Sequence, residues 1–164
     1  MSIIVCDSGP IIHLYEAGIL SLLKPIGEIL MPQSVSIEIL QIIGIASDWP
    51  YWLQIIELDL SEQKEAEMWA RVGNIHKEEA EAFVLARMKN AEWLLTDDLD
   101  ARLFVSLMGL EVHGSLGVVL WNVAHGNLSQ TEAIKALNGF KQSSLWLSAK
   151  IFNEALKAVI EMTS

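Results

Sequence analysis

Four carboxylates in this chain stand where an ordinary fold does not put them. Asp7 closes an apolar run, Glu38 and Glu79 fall inside apolar helix-period segments, and Asp97 closes a second apolar run. Taking an unpaired carboxylate out of water costs several kcal/mol even after relaxation, so acids in apolar settings call for a cation or strong hydrogen-bond donors. Converging Asp and Glu oxygens are also what hard divalent ions such as Mg2+ or Mn2+ accept as ligands. The chemistry these residue types point to is therefore divalent-metal binding, provided that folding gathers them.

The elements that must do the gathering are legible as a pattern. Short apolar runs alternate with longer helix-period segments, which predicts a mostly parallel sheet of about five strands with helices on both faces, an α/β/α architecture. Strands are expected over 3–6, 28–31, 55–58, 93–96 and 111–113, the third of them at an edge after turn residues Asp48, Trp49 and Pro50. Pro32 opens a helix whose stripe holds Val35, Glu38, Ile39 and Ile42. Ser61 is the expected N-cap of the next helix, which Gly73 and Asn74 end. In the helix over 77–89, Glu79, Ala82, Phe83 and Ala86 share one face. Three further helices, over 115–125, 129–140 and 148–160, make the C-terminal portion helical from about residue 115. Ligands in open α/β sheets bind beyond the carboxyl ends of the strands, where the strand order reverses. Asp7 and Asp97 share such a crevice if their strands are parallel neighbours, with Glu38 and Glu79 reaching in from their helices.

Composition bounds the rest. A chain of 164 residues, 52% hydrophobic and 20% charged, is expected to form one domain over 1–164 with a real core. The lone Cys6 makes no internal disulfide, and four scattered histidines give no zinc pattern, so a reducing cytoplasm is the expected compartment. The longest apolar stretch, 11–23, is interrupted by His13, Glu16 and Gly18, so no signal peptide and no membrane span is expected. The formal net charge of -10 argues against a broad basic nucleic-acid surface and suits a basic protein partner.

Taken together, four segments resemble a PIN domain: Ile-Val-Cys-Asp-Ser-Gly-Pro from Ile4 to Pro10, then Pro32 to Glu38, Glu-Ala-Glu-Ala from Glu79 to Ala82, and Leu-Leu-Thr-Asp-Asp from Leu94 to Asp98 followed by Arg102. The resemblance is strongest to the group related to VapC-type toxins, and runs from Asp7 to about Val119. It implies an α/β/α nuclease that binds Mg2+ or Mn2+ and hydrolyses RNA phosphodiesters. Asp7, Glu38, Glu79 and Asp97 are then the catalytic metal ligands, and Asp98 an additional or alternative acid. It also implies an RNA substrate, a homodimer, and a small basic antitoxin placing its basic residues in the acidic pocket. One departure is local: relatives often carry glycine where Glu78 stands. For the reaction, metal ions held by carboxylates acidify water, clamp the phosphate and neutralise the leaving group, so no protein nucleophile is required.

Other residues invite blander readings. Ser8 and Thr96 are expected in turn formation and capping, or in steering a neighbouring carboxylate. Glu81 and Asp100 read as surface charges, and Arg102 as a partner for an acid or a phosphate. Trp49, Tyr51 and Trp52 read as loop packing rather than base stacking, His13 as a satisfied, partly buried histidine, and Cys6 as a small apolar strand residue. His76, His113 and His125 have no evident partner. Two alternatives compete with the nuclease: a catalytically silent PIN-like scaffold, and a receiver-like domain phosphorylated on Asp7, which would want a lysine at a later strand end.

Overall fold

In the computed structural model, which describes residues 1–44 and 49–164, the apolar runs form β1 (Ile3–Cys6), β2 (Glu28–Pro32), β3 (Leu53–Ile56), β4 (Trp93–Leu95) and β5 (Val112–His113). All pairings are parallel, in the order β3-β2-β1-β4-β5. Parallel neighbours cannot be joined by a hairpin, so helices carry the chain back between strands. Among the described residues the connecting helices are α1 (Ser8–Glu16), α2 (Gln33–Ile43), α3 (Leu60–Gly73), α4 (Lys77–Met88) and α5 (Leu99–Leu107), and α6 (Ser115–Ala124), α7 (Gln130–Gly139) and α8 (Ala149–Thr163) follow the last strand.

The two-residue strand period explains the three layers. Ile4, Cys6, Ile29, Met31, Trp93 and Leu95 face the larger core, shared with α1, α2, α6, α7 and α8. Val5, Leu30 and Leu94 face the opposite core, built mainly from Ala82, Phe83, Leu85 and Ala86 of α4 with Val105 of α5. Strands buried on both faces read as unbroken apolar runs, which is why they were conspicuous.

Several details differ from expectation. The third strand runs over 53–56, set by pairing of Leu53 with Ile29 and Ile56 with Pro32; Leu58 is buried beyond the strand, so its apolarity signals burial only. The N-cap of α3 is Asp59 rather than Ser61: its side chain accepts from Glu62 N (2.8 Å), and Glu62 accepts from Asp59 N (2.9 Å), a reciprocal capping box. Asn74, left-handed at φ 51°, follows the end of that helix. On α2 the buried row runs Val35, Ile39 and then the partly buried Ile43, one i,i+4 row, which leaves Ile42 59% exposed. Glu81 is not a surface charge but buried, with Lys77 Nζ 3.9 Å from it, because residues 79–86 of α4 are all enclosed. Trp49 and Trp52 do pack on the larger core, while Tyr51 lies in the open under Lys24. The turn position expected at Asp48 falls outside the described residues. Among the described residues, no helix is long and apolar enough to cross a membrane.

Candidate functional site

The strand order reverses between β1 and β4: the chain first adds β2 and β3 on one side of β1, then returns to add β4 and β5 on the other. Asp7 and Asp97 leave the sheet at this switch point, where Asp7 N donates to Leu95 O (2.9 Å). Asp7 precedes α1 without making a side-chain capping bond. Its carboxylate is 5% exposed by residue and accepts a 3.0 Å bond from the hydroxyl of fully buried Thr96. Thr96 in turn accepts from Asp98 N (3.3 Å), so it steers Asp7 and ties the two strand ends together. Asp98 caps α5 by accepting from Ala101 N (2.9 Å) and is exposed.

Glu38 is half-buried on α2, and Glu79 is buried in the first turn of α4, where Oε1 accepts from His76 N (2.8 Å). Asp7, Glu38, Glu79, Asp97 and Asp98 all line one cavity of about 820 Å³, together with Arg102 and three of the four histidines, His13, His76 and His113. The acids feel one another. Burial raises the Asp7 pKa to about 6 against the pull of the Ser8 backbone N–H and the Thr96 hydroxyl, and the charges of Glu38 and Asp98 push the same way. Burial likewise raises Glu79 to about 7; the His76 backbone bond opposes, while Asp7 and Asp98 add repulsion. His76 Nδ1 lies 3.6 Å from Glu79, but among the described residues no Lys or Arg forms an ion pair with Asp7, Glu38, Glu79 or Asp98. Arg102, half-buried one turn into α5, also makes no ion pair among the described residues, so its expected pairing with an acid is not formed there.

Asp97 is different. One oxygen accepts from His13 Nδ1 at 2.6 Å and from the Ser115 hydroxyl, the other from Ser115 N at 2.7 Å. Burial works to raise its pKa, but the bonds from His13 and Ser115 outweigh it and hold the carboxyl below its ordinary value. His13 is thus the satisfied, partly buried histidine expected. Gly114 permits the arrangement: a Cβ there would stand 2.6 Å from Asp97 Oδ1 and 3.1 Å from an Arg102 nitrogen. Ser115 and Gly114 went unmarked in the sequence, the only signal being a glycine and a serine directly after a short strand. The other histidines have partners too: His113 bonds Glu111 (2.7 Å) and packs at a tilt of 47° against Trp93, and His125 stacks on Trp121.

Folding has therefore brought all five acids to one cavity in two conditions: a mutually repelling set of Asp7, Glu38, Glu79 and Asp98, and a hydrogen-bonded Asp97. All are hard oxygen donors, so the donor chemistry fits a divalent ion. Among the described residues, no three His, Cys, Asp or Glu side chains stand close enough to form a ready-made metal cage. Comparison with curated proteins gives no match, and comparison with solved structures gives none. A family model, DUF3368, described as a PIN domain, matches residues 3–161. That match covers nearly the whole chain, including both strand-end aspartates and both helical glutamates, and with it the chain belongs to the PIN domain family.

Proposed function

We propose that the chain is a divalent-metal-dependent ribonuclease, in keeping with a family whose members are typically nucleases and commonly use divalent metals. The observation that carries this reading is the repelling acid set at the β1/β4 edge, where burial and mutual charge raise Asp7 to about 6 and Glu79 to about 7 with no Lys or Arg ion-paired to them among the described residues. Protons relieve such crowding near neutral pH, and a divalent cation that displaces them relieves it further. Asp7, Glu38, Glu79 and Asp98 would hold Mg2+ or Mn2+. Asp97 joins them through the one acceptor position of about four that its three hydrogen bonds leave. An ion held there would acidify a bound water and offset negative charge on the phosphoryl oxygens. Thr96 fixes the orientation of Asp7, and Arg102 offers its guanidinium to the phosphate from the cavity wall.

Cleavage of a single-stranded RNA in Mn2+ tests the reading. Wild type should cut it, and Asp7→Asn and Glu79→Gln should not, while both keep the wild-type circular dichroism spectrum. Equal cleavage by all three would refute it. The narrower reading, a toxin held by a small basic antitoxin and acting as a homodimer, draws on the acidic net charge and on charge complementarity. Expression should arrest growth and Asp7→Asn should relieve the arrest; unaffected growth would remove the toxin role and leave the nuclease.

The engagement of Asp97 by His13 and Ser115 favours a second reading, a silent scaffold whose acids no longer take up metal. Mn2+ separates the two. The enzyme gains thermal stability with metal occupancy and loses that gain in Asp7→Asn, whereas the scaffold is indifferent to the ion.

A further inference from the structure

The acidic cavity does not end at the acids. Leu116, Leu120 and Ile151 line it as well, and so does Trp146. This tryptophan is 82% exposed, whereas the other five are buried or half-buried. Its exposure is built in by its neighbours. Leu145 and Leu147 both pack on the larger core. Ser144 gives its N–H (2.9 Å) and its hydroxyl (2.6 Å) to Glu16, Leu145 N donates to the Ser143 hydroxyl (3.1 Å), and Ser148 caps α8 through Ile151 N (3.2 Å). With the residues before and after it anchored inward in a segment that is neither helix nor strand, Trp146 is held outward at the cavity rather than free to fold onto the core.

The shape and lining say what such an indole can meet. At about 820 Å³ the cavity falls in the range of roughly 300–1,000 Å³ that encloses small ligands, the scale of a nucleotide or two rather than of a protein face. Its lining combines acids, Arg102 and histidines, which suit a phosphate, with a flat aromatic surface and aliphatic side chains. Bases stack on exposed aromatic rings only when they are unpaired. We infer that Trp146 is a stacking platform for an unpaired nucleobase of the RNA strand whose phosphate meets the acids. The inference rests on the ribonuclease reading and adds to it the residue that holds a base of the strand beside the acids.

Binding of a single-stranded oligoribonucleotide, measured in Ca2+ to suppress turnover, tests it in wild type, Trp146→Ala and Trp146→Phe. Trp146→Ala should weaken binding about tenfold, the scale of one lost stacked base, and Trp146→Phe should recover most of the loss. Thermal midpoints should match wild type, since the indole supports little of the core. Wild-type tryptophan emission should be quenched on titration with the oligoribonucleotide, and Trp146→Phe should lose that quenching, a response that a merely structural residue would not give. Unchanged binding and cleavage in Trp146→Ala would overturn the inference and leave the nuclease intact. A wild type that neither binds nor cuts RNA would remove both. An emission change with a basic peptide and none with RNA would overturn the inference in favour of a protein partner.

Discussion

Replacing Asp7 by asparagine should make the metal-free protein more stable at pH 8, against the usual effect of altering a buried polar residue. The pKa of Asp7 rises from an ordinary 3.8 to about 6 on folding, because burial and the neighbouring Glu38 and Asp98 disfavour its charge. The folded state therefore holds the proton more tightly than the unfolded chain. The stability that this contributes is fully present below about pH 3.8 and is lost as pH rises through about 6. The gap between the two values corresponds to about 3 kcal/mol. Asparagine is near in shape, can accept the Thr96 hydroxyl bond, and carries no charge at any pH. Urea denaturation in EDTA should show an unfolding free energy for Asp7→Asn that gains on wild type by about 2–3 kcal/mol between pH 4 and pH 8, read from a raised midpoint with unchanged slope. Part of the gain comes through Glu79, whose own elevated pKa is partly due to Asp7. Adding Mn2+ at pH 8 should close the gap by stabilising wild type alone. A difference between the two proteins that is the same at pH 4 and pH 8 would refute the claim that the Asp7 charge is held under strain.

Ser115→Ala removes a hydroxyl bond from a partly buried carboxylate and should cost about 1.5–3 kcal/mol at neutral pH. Because the Asp97 pKa is depressed in the fold, the stability it contributes is present above the ordinary value and is lost as pH falls through the folded one; denaturation should find the cost of Ser115→Ala shrinking toward pH 3. Gly114→Ala drives a methyl to 2.6 Å from Asp97 Oδ1 and should destabilise by about 1–3 kcal/mol; a melting temperature equal to wild type would count against that close approach. Cys6, fully buried with its thiol pushed far up by burial and by nearby Asp7 and Asp97, should resist iodoacetamide in the native protein and react on unfolding, as mass spectrometry would register.

Local pattern alone marked four of the five strands, most helix bounds, and the two aspartates that follow β1 and β4, because these depend on local period, chain turns and burial of apolar runs on both sheet faces; the third strand was displaced by two residues, since its register is set by pairing with β2. The sequence also carried the ordered acidic segments that mark the family. What each acid became depended on long-range neighbours. Asp97 lost its freedom to His13, 84 residues away, and to Ser115, 18 residues on, while Asp7 and Glu79 acquired raised pKa values through acids on other elements. Glu81 disappeared into the enclosed α4, and Trp146 emerged beside the cavity because its two leucine neighbours are drawn into the core. The two kinds of information differ in range. Backbone periodicity is fixed within a few residues, whereas the desolvation of a carboxylate and the donors that offset it depend on which strands become neighbours. Only the placing of β4 against β1 settled that.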